Sequence, residues 1–306
     1  MKTAVFLLAH GAPTYVRDIP RYLKNIRGGT NSSPEVIREV AARYEAIGGR
    51  SPMIDHTQAQ ARALEQFLNQ GEERFQVYVG MRNWKPYIRD AVNQAMSDGA
   101  ERLVALCLAP QYSKWSTERY LKSFREALDG WQRKIIEVKF ITSWPNQPNL
   151  IDAFVERYRA AEADLKAKGK ADFHTLFTVH SIPSDSVDMF GDPYVEEYGK
   201  TLQGILDQLN LSNWHQAYQS QGMIPVPWLE PSVEEILDKV AKAGGQTALV
   251  VPVGFVCDHI EILYDIDIAF KEYAAGKGIE LYRTESLNTS PLFTEALAAV
   301  VWEHLF

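Results

Sequence analysis

Short runs of β-branched and apolar residues alternate along the whole chain with longer amphipathic stretches of helical period, and this alternation confines the sequence to parallel-sheet architectures. The candidate strands are AVFLLAH (4–10), QVYVGM (76–81), RLVALCLAP (102–110), KIIEVKFIT (134–142), HTLFTVH (174–180), WHQAYQS (214–220), TALVVPVGF (247–255) and ELYRTES (280–286). Between them lie segments with apolar residues at i, i+3 and i+4. The first, SPEVIREVAARYEAI, opens with a Ser cap before Pro and stops at Gly48–Gly49. Similar segments follow at 53–71, 85–99, 116–130, 149–169, 192–209, 231–245 and 290–306, nearly all of them ending at Gly.

Four strands precede residue 150 and four follow it. The order strand, Trp/Pro loop, helix, Gly turn, strand, Pro occurs once in VYVGMRNWKPYIRDAVNQAMSDGAERLVALCLAP and again in AYQSQGMIPVPWLEPSVEEILDKVAKAGGQTALVVPVGF. The fold predicted is therefore α/β: two Rossmann-like domains, each a four-stranded parallel sheet flanked by helices, related by internal duplication and separated by a cleft. A length of 306 residues suits two domains. The Pro-rich SWPNQPN (143–149) marks the boundary, giving an N-terminal half at 1–145 and a C-terminal half at 146–306, whose last helix packs back on the first domain.

The chain carries a formal charge of −7 and no basic stripe, which argues against a nucleic-acid partner. No apolar run approaches the ~20 residues of a membrane span, and TAVFLLA reads as a first strand, so a cytoplasmic protein is expected. Its two cysteines, Cys107 and Cys257, lie in or at the end of apolar runs and read as buried small hydrophobes; a cysteine-ligated zinc or iron–sulfur site would need more of them. G-x-S-x-G, G-x-G-x-x-G and Walker loops are all missing from the sequence.

Two strands end in similar ways: VFLLAHGAP places His10, and LFTVHSIP places His180, at the carboxyl edge of a sheet, where α/β folds bind ligands. In PVGFVCDHIEILYDIDIAF (252–270) an apolar strand gives way to Asp258, His259, Glu261, Tyr264, Asp265 and Asp267. Positions 258, 261 and 265 would share a helix face. Asp258 is expected to complement the helix start, Glu261 to carry the site, and His259 to orient Glu261 from behind. His56, His174, His215 and His304 are assigned surface or packing roles. Imidazole beside carboxylate suits proton transfer or a labile divalent first-row metal that passes through without staying. In the first half, Arg27, Arg43, Tyr44, Ser51 and Tyr120 fall near the first strand's exit, and arginines beside hydroxyls can clamp carboxylates.

HSIP, FGDPY (190–194), YQSQG followed by PWLEPSV, VPVGFVCDHIEILYD, RYEAIGGRSP and LAPQYS together resemble the ferrochelatase family, from about residue 4 to the C-terminus. The chain is most similar to the compact bacterial type that metallates coproporphyrin III. The resemblance implies insertion of Fe²⁺, as substrate, into a porphyrin that is distorted between the two walls of the cleft, with no permanently bound cofactor. It implies catalytic roles for His180 and Glu261, with Asp265 as a further metal ligand. Porphyrin and its propionates would be held by Arg27, Arg43, Tyr44, Ser51, Tyr120 and Trp228, with MRNW (81–84) as a contacting loop. Gly28 and Ala269 depart from the pattern, where relatives carry a second arginine and a further acidic residue. His10 replaces the usual Tyr and is expected to bind the iron of the haem-type product axially. Transient contact with neighbouring enzymes of the haem pathway is the macromolecular partnership it implies. The length, the arginine set and the lack of an apolar, membrane-associating lip favour coproporphyrin over protoporphyrin. A cobalt chelatase for a corrinoid precursor and a haem-binding protein without turnover are the rival readings.

Overall fold

The computed structural model describes residues 2–71, 74–131, 137–222 and 224–305. All eight expected strands are present: β1 (Lys2–Ala9), β2 (Arg74–Met81), β3 (Arg102–Cys107), β4 (Glu137–Ile141), β5 (His174–His180), β6 (Trp214–Gln219), β7 (Thr247–Val251) and β8 (Glu280–Arg283). The expected start of β4 at 134–136 lies outside the described residues. Strands β3 and β7 end earlier than expected; Pro252, which cannot donate to a ladder, follows β7.

The helices are α1 (Ile19–Ile26), α2 (Pro34–Ala46), α3 (Met53–Leu68), α4 (Ile88–Ser97), α5 (Thr117–Ala127), α6 (Pro148–Ala167), α7 (Ser184–Asp188), α8 (Tyr194–Gln208), α9 (Val233–Lys242), α10 (Ile260–Leu263), α11 (Lys271–Gly276) and α12 (Pro291–Leu305). Ser33 and Ser232 cap α2 and α9 by accepting from Val36 and Glu235 N–H. Helix α1 is an addition to the sequence reading, whose first helical segment begins at 33: eight residues in a polar context carry too little period to stand out, although Pro20 sits in its first turn.

Both sheets are parallel and have the same topology, β2-β1-β3-β4 and β6-β5-β7-β8. The repeat extends to detail. Met81 at the end of β2 donates its N–H to Pro86 carbonyl at 2.7 Å, and Tyr218 in β6 donates to Pro231 carbonyl at 2.9 Å. In each half the loop proline before the crossover helix thus latches back on the outer strand.

The central strand β1 is buried on both faces, as parallel strands between helical layers must be. Ala4, Phe6 and Leu8 face a core with α4 and α5. Val5 and Leu7 join a second core that also holds Phe177, Val179 and Val251 from the other sheet, together with α3, α6, α8 and α12. Leu176, Ala248 and Val250 face the third core, with α9 and the segment 262–274. Helix α12 packs against α3 and α6. No described helix is long and apolar enough to cross a membrane.

Candidate active site

The carboxyl edges of β1 and β5 present His10 and His180, and in both the ring is latched the same way. His10 Nδ1 lies 3.2 Å from Gly11 carbonyl, and His180 Nδ1 contacts Ser181 carbonyl, in each case the next residue's backbone oxygen. A carbonyl only accepts, so each Nδ1 carries the proton and each Nε2 is turned away from the backbone. Gly11 is required for this turn: its φ is +88°, and a Cβ there would lie 3.0 Å from Met81 Cβ and Trp84 N. That close approach docks the 81–84 loop on the strand end through Arg82 N–H to Ala9 O and Asn83 N–H to His10 O, both 2.9 Å.

His180 Nε2 faces Glu261 Oε1 at 3.6 Å, and the other carboxylate oxygen of Glu261 meets His259 Nε2 at 3.3 Å. His259 is buried, and its Nδ1 donates to Cys257 carbonyl at 3.0 Å. Glu261 therefore lies between two imidazoles whose outer nitrogens are both fixed by backbone. Gln219 ties the assembly to the sheet, donating to Glu261 carbonyl at 3.0 Å and accepting from Thr178 at 2.6 Å. The His180 and Glu261 side chains stay 34% and 33% exposed.

Burial would lower the His180 pKa, but Glu261, the Ser181 carbonyl and Asp265 outweigh it and hold it above the ordinary histidine value. Burial would raise Glu261, but His180 and His259 hold it well below the usual carboxylate range. Asp265 is pushed up to about 6 by burial and by Glu261, against Ser220, whose hydroxyl donates to it at 2.5 Å. For His10 burial prevails and its pKa is lowered, so it stays neutral; Glu261 acts in the opposite direction.

Glu261 sits on α10, and Asp265 opens the π-helical segment Asp265–Phe270, in which Ala269 N–H reaches back to Tyr264 carbonyl at 2.9 Å. Asp258 corrects its sequence assignment. His259, the residue before α10, is fully extended, so Asp258 lies off the helix; it accepts from Ser286 at 2.7 Å and Asn288 at 3.0 Å and pairs with Arg283 at 3.3 Å.

The first-half candidates divide. Burial raises the pKa values of Tyr120 and Tyr44, helped at Tyr120 by Cys107 and, more weakly, Glu261, and at Tyr44 by Glu261, so both stay protonated. Arg43 pairs with Glu39 at 2.6 Å, and its guanidinium carbon lies 5.5 Å from the centre of the Tyr264 ring, placing it beside Asp265. Ser51 is buried and accepts from Met53 N–H at 3.3 Å. Arg27 is exposed just past α1. Trp228 stands at the second-half rim against Gly222, its indole N–H donating to Ile224 carbonyl at 3.3 Å.

Several neighbours had no individual assignment in the sequence, Arg82 among them although it lies in the expected contacting loop MRNW (81–84). Arg82 is half-buried beside His10 and Tyr120; burial first, then Arg119, lowers its pKa. Its place directly after β2, at the edge where β1 presents His10, was the available signal. Among the described residues neither Arg82 nor Arg119 is ion-paired, and Arg119 rests 4.4 Å over Trp115. Tyr22 of α1, which touches His10, went unseen with its helix. Contrary to expectation, an apolar lip exists: Met189 and Phe190 are 71% and 68% exposed, with Ile224 and Val226 also exposed. Helix α7 ends at Asp188 and the chain turns at Gly191 before those two side chains can be covered. The loop at 224–229 adjoins the same region through Ser184 N–H to Pro227 O at 3.0 Å. His174 and His215 contact each other at 3.1 Å at the opposite edge of the sheet.

Twin four-stranded parallel sheets of one topology, with ionisable residues at their strand ends, define a protein of the chelatase-type α/β fold. The crystal structure of sirohydrochlorin chelatase SirB from Bacillus subtilis subspecies spizizenii in complex with cobalt superposes with a TM-score of 0.60 at 12% identity, covering 99% of this chain and 95% of that one. The ferrochelatase family model matches residues 2–305. Ferrochelatase of Acidobacterium capsulatum is 41% identical over 97% of this chain and 93% of its own length, and coproporphyrin III ferrochelatase of Bacillus subtilis 34% over 99% and 98%. The chain belongs to the ferrochelatase family, enzymes that insert metal into a tetrapyrrole.

Proposed function

We propose that this ferrochelatase inserts Fe²⁺ into coproporphyrin III, with His180 and Glu261 as the catalytic pair. The observation that carries this reading is the imidazole–carboxylate–imidazole row of His180, Glu261 and His259, whose carboxylate charge also reaches His10.

Insertion replaces two pyrrole N–H protons by one Fe²⁺, so the site must accept protons and release a metal on the same face. The groups divide these duties by proton affinity. Glu261, held ionised, is a poor base and a good hard donor for the arriving ion. His180, with its raised pKa and Nε2 turned away from the backbone, accepts the two protons one at a time, releasing the first to solvent across its exposed side before it takes the second. Asp265, one turn beyond Glu261, receives the ion first and passes it inward. Arg27, Arg43, Arg82 and Arg119, with the hydroxyls of Tyr120 and Tyr44, bind the porphyrin carboxylates from the first half, and Trp228 covers the rim. Arg27, Arg82 and Arg119, unpaired among the described residues in a chain of net charge −7, favour a substrate with several carboxylates. His10, neutral with Nε2 free, binds the iron of the product from the other face.

The exposed Met189, Phe190, Ile224 and Val226 favour a second reading, protoporphyrin IX, whose more apolar edge would meet that lip. Anaerobic insertion assays with Fe²⁺ and each porphyrin decide between them. The expected result is a kcat/KM for coproporphyrin III at least tenfold above that for protoporphyrin IX. An inverted ratio overturns the substrate assignment, and insertion into neither overturns the enzymatic one.

A further inference from the structure

We propose that Tyr22 is a positioning residue that sets the tautomer and ring orientation of His10, making Nε2 a bare donor toward the iron of the product. This rests on the reading of His10 as an axial ligand and goes beyond it.

The single phenol proton of Tyr22 faces two possible partners. Tyr22 Oη lies 3.1 Å from Gly11 carbonyl and 3.2 Å from His10 Nδ1. The phenol has one proton, and Gly11 oxygen, which only accepts, is the nearer acceptor. Toward His10 the phenol oxygen is then an acceptor, and the hydrogen between them belongs to Nδ1. Gly11 carbonyl, 3.2 Å from the same Nδ1, enforces the same assignment, since a lone pair there would face a carbonyl oxygen. Two acceptors converge on one N–H. The neutral ring consequently has its lone pair on Nε2.

Packing holds the phenol in place. The Tyr22 ring stands edge-on between His10 and Trp84, at 6.2 Å and 80° to one and 6.2 Å and 85° to the other. Trp84 is itself pinned by its indole N–H to Thr14 at 3.1 Å. Tyr22 is buried, and its pKa is raised by burial first and then by Tyr44 and Glu261, so the phenol keeps the proton it gives to Gly11. A histidine that donates its far N–H to a fixed oxygen is a more basic and better-aimed ligand, and loss of such a partner typically costs about 10–100-fold in metal affinity. His180, with the same backbone latch, has no phenol: its Nε2 faces Glu261, and its protonation is set there.

The first test needs no iron. In ¹⁵N-histidine-labelled enzyme without porphyrin, with the His10 signals identified by their loss in His10→Gln, long-range ¹H–¹⁵N spectra at neutral pH should show His10 as the Nδ1–H tautomer. An Nε2–H tautomer overturns the proposal. The second test loads wild type, Tyr22→Phe, His10→Ala and the double variant with ferric coproporphyrin III. The expected result is a changed haem spectrum in His10→Ala, and in Tyr22→Phe a shifted spectrum with product release about tenfold faster than wild type. The double variant should match His10→Ala, because Tyr22 acts only through the imidazole. If His10→Ala leaves the spectrum unchanged, the axial reading itself fails. If His10→Ala changes it while Tyr22→Phe is indistinguishable from wild type in spectrum and release, Tyr22 has no positioning role.

Discussion

Three imidazoles, His10, His180 and His259, each place Nδ1 on a backbone carbonyl and turn Nε2 toward the site, yet their surroundings divide their duties. Replacing the proposed base or the proposed metal contact should preserve porphyrin binding and abolish turnover: His180→Ala and Glu261→Gln are expected to keep the fluorescence-quenching Kd for coproporphyrin within about threefold while lowering kcat by about 10²–10⁴. His259→Gln acts one step removed, freeing one oxygen of Glu261. It should lower kcat about tenfold with KM for porphyrin unchanged, in steady-state insertion assays.

The acid–base behaviour follows in sign. The folded-state pKa of His180 is raised, so its pairing with Glu261 stabilises the fold fully below about pH 6.5, and the contribution fades as pH rises through the higher folded value. Thermal melts should therefore show a larger deficit for His180→Gln at pH 6 than at pH 9. Insertion should run the opposite way in wild type, rising with pH, because the base must be deprotonated. Both catalytic candidates were legible from sequence because each stands where an apolar run stops at an ionisable residue. Arg82 and Arg119 as individual charges, and Tyr22, were not, since their significance lies in what fails to neutralise them or what they touch across the chain.

At the scale of elements, strands buried on both faces read clearly, because every residue of β1 and β5 between the edges must be apolar or small. The short helices did not: α1 and the π-helical step carry no period long enough to register. That step is held by Arg283, which donates to both oxygens of Asp267 at 2.9 Å and also pairs with Asp258 at 3.3 Å. It joins β8 to the segment that presents Asp265. Arg283→Gln would leave two largely buried carboxylates short of a cation, and the expected cost is about 3 kcal/mol in urea unfolding. Wild-type stability in that variant would mean the π-helical segment holds itself.

Across the whole molecule, the core that contains Val5 and Leu7 continues into Phe177, Val179 and Val251, with Phe293, Leu297, Val300 and Val301 of α12 between α3 and α6. The two sheets share one interior, so calorimetry should show a single unfolding transition, and Leu297→Ala should lower stability by about 2–5 kcal/mol without splitting it. Two resolved transitions would contradict the shared interior. The duplication was visible as an order of elements, but a common core was not, because which faces of two sheets meet is decided by helices contributed from distant parts of the chain.

The matched backbone latches on His10 and His180 carry a further consequence. Under the proposed function a planar guest between them meets the same ring, held the same way, on each side, and the two sides differ in what each imidazole faces: the Glu261 carboxylate before His180, the Tyr22 phenol beside His10. Chemical direction in this enzyme is thus a property of charge placement laid over a near-symmetric frame. On that reading one face would be an inlet, where protons leave and metal arrives, and the other a gauge that responds only once the metal is seated.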